Sequence, residues 1–164
     1  MSSTSNSNPL LQDWQGPMGG LPPFDQVQAI HFPSALQAGV DDLRASVHRL
    51  TSQEEPPDFA NTIETFECCG SLLRRVRSVV GVFFATLSDA HCREIEAEWE
   101  PRLTTVWSEV YQNQKLFRRV QAVHASQESY NEEERRLIDE IMSAFRRKDT
   151  SEGQSEHLAN LFVI

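Results

Sequence analysis

The sequence predicts an all-α protein of about five helices behind an irregular N-terminal arm. Three observations lead there. Apolar residues recur at steps of 3 and 4 from Phe32 to Phe145. No stretch of useful length alternates apolar with polar residues as a half-buried strand would. Gly and Pro punctuation is concentrated ahead of the first helical stripe.

The elements follow in order. Residues 1–33 form the arm. Ser2 to Ser7 is polar, but Leu10, Leu11, Trp14, Met18, Leu21 and Phe24 recur among prolines and glycines. A solvated linker would not carry such groups, so the arm is expected to lie against a core. Residues 34–147 form the helical domain. Leu36, Val40, Leu43, Val47 and Leu50 mark one helix face, ending near Thr51-Ser52, and Pro56-Pro57 forbids continuation. Asp58 sits where an N-cap belongs. A stripe from Phe59 through Ile63, Phe66, Gly70, Leu73, Val76, Val80 and Phe84 to Leu87 then predicts one helix of about eight turns. Gly70 and Gly81 within it suggest close packing of a neighbour. Ser88 or Asp89 caps the next helix, with Ile95, Trp99, Leu103, Val106 and Val110 on its face and a kink expected at Pro101. Asn113 opens a short segment with Leu116, Phe117, Val120 and Val123. Asn131 and Glu134 form a capping-box variant ahead of Leu137, Ile138, Ile141, Met142 and Phe145. Residues 148–164 form a divergent C-terminal tail with no defensible period.

Composition narrows the function classes. The 164 residues carry 15 Lys+Arg against 24 Asp+Glu, a formal charge of −9, which argues against a general nucleic-acid binder. The longest nearly apolar run is Val79 to Ala85, far short of the roughly 20 residues of a membrane span. The N-terminus lacks a charged region followed by an apolar one, so no secretory signal is read there. Cys68, Cys69 and Cys92 make no disulfide framework, and a reducing, cytoplasmic location is the simplest expectation.

Candidate chemistry is sparse. Gly-x-Ser-x-Gly and Gly-x-x-x-x-Gly-Lys are absent. None of His31, His48, His91, His124 and His157 begins His-Glu-x-x-His. His91-Cys92 beside Cys68-Cys69 is poor metal-ligand spacing, because consecutive helical side chains diverge. Glu94, Glu96, Glu98 and Glu100 are scattered around a helix. Glu132, Glu133 and Glu134 suit a first helical turn. Arg74, Arg75, Arg77, Arg118 and Arg119 read as polar faces, with an anion site as the lesser alternative. His31 reads as a satisfied structural histidine. Trp99, Trp107 and Phe117 read as core. No catalytic, cofactor-binding or metal residue is assigned.

The residue strings themselves say more. Asn8-Pro9-Leu10-Leu11, the run Gly20 to Asp25, Ile30-His31-Phe32 with Ala35, and Pro56-Pro57-Asp58-Phe59-Ala60-Asn61-Thr62-Ile63-Glu64 occur in order. Glu100-Pro101-Arg102-Leu103, Leu116-Phe117-Arg118-Arg119-Val120 and Glu134-Arg135-Arg136-Leu137-Ile138 follow. Over roughly residues 8–147 this series resembles the N-terminal region of the zinc oligopeptidase family, which includes thimet oligopeptidase, oligopeptidase A and peptidyl-dipeptidase. It is most similar to the bacterial-type oligopeptidase A and peptidyl-dipeptidase branch. The resemblance implies a helical wall of a deep channel. It also implies hydrolysis of short peptides at one zinc ion, bound by a His-Glu-x-x-His helix and a further glutamate in the family's C-terminal half. None of those residues is in this chain, so the expectation is a partial, truncated peptidase that is inactive alone and needs no cofactor of its own. Partners would be a catalytic half, a full-length paralogue or a peptide. The alternative is a stand-alone helical module that binds proteins or peptides.

Overall fold

The computed structural model describes residues 8–14, 20–86 and 90–150. Its order is α1 (Phe32–Thr51), α2 (Thr65–Cys68), α3 (Ser71–Thr86), α4 (Ala90–Tyr111), α5 (Gln114–Ala125) and α6 (Glu132–Thr150). The described residues contain no strand. Five long helices and the single turn of α2 thus make the all-α bundle that the periodicity predicts.

The arm is held at both ends. The Asn8 carboxamide accepts from the Leu10 N–H at 3.0 Å and donates to the His31 carbonyl at 2.7 Å and to Ser34 Oγ at 3.0 Å. Leu10 is fully buried, and Val27 is buried where the arm meets α1. Between them the expectation holds only in part. Leu21 is 80% exposed, and Leu11 and Phe24 are also exposed. Met18 lies outside the described residues. Trp14 packs against the core, whereas Leu21 stays in water.

α1 starts at Phe32 with Pro33 in its first turn, where a missing N–H costs nothing. It buries Leu36, Val40, Leu43, Val47 and Leu50, as its 4-3-4-3 spacing predicts, and ends at Thr51. After Pro56-Pro57, Asp58 caps the next segment by accepting from the Asn61 N–H at 2.7 Å. The single long helix expected from Phe59 to Leu87 is not what forms. Phe59–Glu64 is a wide π-type coil and α2 lasts one turn. Cys69 is extended, and Gly70 takes φ +75°, in the left-handed region where a side chain is strained. A Cβ there would also come within 3.2 Å of Leu43 Cδ1. The 3-4 spacing persists across this break because the chain re-enters the same core on its far side. Leu87 and the cap residues Ser88 and Asp89 lie outside the described residues.

α4 runs without interruption through Pro101, which lies on its exposed side. Asn113 caps α5 by accepting from the Lys115 and Leu116 N–H groups, each at 3.0 Å. Asn131 and Glu134 exchange reciprocal backbone bonds of 2.9 Å at the start of α6. The helix continues to Thr150, and residues 151–164 lie outside the described residues.

The core is continuous. α1 packs chiefly on α3, and α5 on α6. The α1–α3 contact depends on Gly39, whose notional Cβ would sit 2.8 Å from Leu73 Cα. Gly81, by contrast, faces open space, so the close packing suggested for it does not occur. At the other end of the bundle the Phe145 ring meets Tyr111, Phe117 and Phe66 at 5.1, 5.8 and 6.1 Å between centroids.

The two glycines therefore respond oppositely to a methyl group. Gly39→Ala is expected to destabilise by roughly 1–3 kcal/mol through overpacking. Gly81→Ala is expected to stabilise by up to about 1 kcal/mol through helix propensity. Urea unfolding midpoints of the two variants check both signs.

Candidate functional site

Polar chemistry inside the bundle converges on Arg119, which is only 8% exposed. α5 carries it on the face that also holds Leu116, Val120 and Val123. Its Nη1 donates to the carbonyls of Gln53 at 3.3 Å and Glu55 at 3.2 Å. Its Nη2 donates to Asn61 Oδ1 at 2.9 Å and Thr62 Oγ1 at 3.2 Å. Asn61 is the hub opposite. Its Oδ1 also accepts from the Asp58 N–H at 3.0 Å and the Thr62 hydroxyl at 2.7 Å, and its Nδ2 donates to the Pro56 carbonyl at 2.9 Å. The guanidinium fork thus bonds the 53–62 connector at four points. Its Nε is buried without a partner.

Arg74 and Arg77 are also committed to the protein's own acceptors. Arg74 donates to the Cys69 and Glu67 carbonyls at 2.9 and 2.6 Å, satisfying the end of α2. Arg75 lies 5.3 Å from the Trp14 ring, and Arg77 pairs with Glu100 at 3.2 Å. Exposed Arg118 and salt-bridged Arg77 fit the polar-face reading. For Arg119 that reading is corrected: it is interior, and carbonyls rather than carboxylates receive it. The signal was present in the sequence, since Arg119 falls three residues after Leu116 and four before Val123, inside the apolar stripe.

The histidines and thiols do not gather. His31 Nδ1 accepts from the Gln28 N–H at 3.0 Å, a satisfied structural role. His48 is exposed, and His91 approaches Glu94 only at 4.0 Å. His124 Nε2 meets Asp139 at 3.2 Å between α5 and α6. His157 lies outside the described residues. Cys68 is exposed, while Cys69 and Cys92 are buried. Burial, with Cys68 beside it, pushes the Cys69 thiol up to about 11. It stays protonated near neutrality and donates to the Thr65 carbonyl at 3.3 Å. Among the described residues no three His, Cys, Asp or Glu side chains stand close enough to hold a metal ion. The donor set on these elements does not fit a zinc centre.

The acidic runs stay dispersed. Glu98 pairs with Arg102 and Glu100 with Arg77, while Glu132 and Glu133 are exposed. Trp99 is buried beneath the Arg102 guanidinium, 4.1 Å from its ring, and Trp107 and Phe117 pack against the core.

A groove of about 1010 Å³ separates α6 from the α2–α3 junction and the end of α4. Tyr111, Leu137, Ile141 and Ala144 supply its apolar surface, and Arg74 and Glu67 stand on one side. Burial, then Glu67, pushes the Tyr111 hydroxyl up to about 12. The phenol is therefore neutral near pH 7. Nothing in the groove pairs a nucleophile with a base.

This unit is similar to long peptidases. Dipeptidyl carboxypeptidase of Salmonella typhimurium is 30% identical over 142 residues, covering 85% of this chain and 21% of that protein. Dipeptidyl carboxypeptidase of Escherichia coli is 32% identical over 126 residues, covering 76% of this chain and 18% of that protein. The chain is related to the peptidyl-dipeptidase and oligopeptidase family. It spans about a fifth of the length of the curated relatives it matches. No family model matches the chain. Two of the strings on which the resemblance was read, Pro56–Glu64 and Leu116–Val120, meet at the Arg119 contact with Asn61 and Thr62.

Arg119→Met removes the four bonds from the guanidinium to the connector and is expected to cost about 2–4 kcal/mol in urea unfolding. Arg118→Met is expected to stay within about 0.5 kcal/mol. The raised Cys69 and Tyr111 values also fix a sign. The unfolded chain loses these protons first as pH rises, so stability is level near neutrality and falls between pH 9 and 12. Tyr111→Phe should remove the part of that decline between about pH 10 and 12.

Proposed function

We propose that these residues are a non-catalytic helical scaffold of a dipeptidyl carboxypeptidase-type peptidase, forming one wall of its channel. The observation that supports this best is the match itself. It extends over most of this chain but about a fifth of each relative. The internal chemistry points the same way, because Arg119, Arg74 and Arg77 are spent on holding the chain together.

In this reading the 164 residues do not hydrolyse peptides alone. The zinc ion that the resemblance implies would supply Lewis-acid polarisation of the scissile carbonyl, and no residue of this chain is assigned to hold it. The partner of the scaffold is the catalytic part of the same kind of peptidase. Nucleic acid and membrane are not partners: the chain is acidic, and no helix among the described residues is long and apolar enough to cross a membrane. The buried thiols of Cys69 and Cys92 suit the reducing cytoplasm.

The purified 164-residue chain, given zinc and a panel of short peptides, is expected to release no product above the protein-free control. Stoichiometric metal with chelator-sensitive turnover would contradict the scaffold reading.

A further inference from the structure

We draw no further inference here: the strongest candidate, the groove between α6 and the α2–α3 junction, is floored by buried Tyr111, Ile141 and Ala144 beneath a rim of mixed arginines and carboxylates, and nothing in the structure shows what covers it.

Discussion

One buried guanidinium decides how the first half of this bundle joins the second. The chain leaves α1 at Thr51 and cannot stay helical through Pro56-Pro57. It must pass as irregular backbone between packed helices, and irregular backbone has carbonyls that no ladder satisfies. Arg119 supplies the donors. A lysine would offer a point charge, whereas the planar fork reaches two carbonyls with one nitrogen and two side-chain oxygens with the other. No carboxylate enters, so the cation is stabilised by dipoles alone. α5, the connector and the capped coil at Asp58 are thereby fixed relative to one another.

The rest of the bundle closes around that fixed point by contact rather than by charge. Gly39 lets α1 and α3 approach until one helix backbone meets the other. Gly70 turns the chain from α2 into α3 under Leu43 and Trp107. The Phe145 aromatic cluster then seals α6 against α4 and α5. Most salt bridges lie at the surface, such as Arg44–Glu109 at 2.8 Å with both partners half exposed, and such pairs contribute little. Arg119 and Arg74 bond the chain's own carbonyls, which accords with the scaffold role proposed above.

Most of the architecture was legible because stripes, caps and prolines act locally. Asp58, Asn113 and the Asn131–Glu134 pair cap where their residue types and positions indicate. What escaped was tertiary. The break at Cys69–Gly70 hides inside an unbroken 3-4 spacing, since both sides face one core. Gly39 sits between Leu36 and Leu43 on the buried face but looks like any helical glycine until Leu73 is placed against it. Arg119 resembles a surface arginine beside Arg118, and only its register within the Leu116–Val123 stripe betrays it. The arm misled in part: Leu10 is buried and Trp14 packs on the core, but Leu11 and Leu21 remain exposed.

The linkage between Arg119 and Asn61 is the claim on which this account stands, and a double-mutant cycle measures it. Urea unfolding of Arg119→Met, Asn61→Ala and the double variant should give a coupling energy of at least about 1 kcal/mol. Costs that add within about 0.3 kcal/mol would mean the two side chains act independently, and the connector is held by something else.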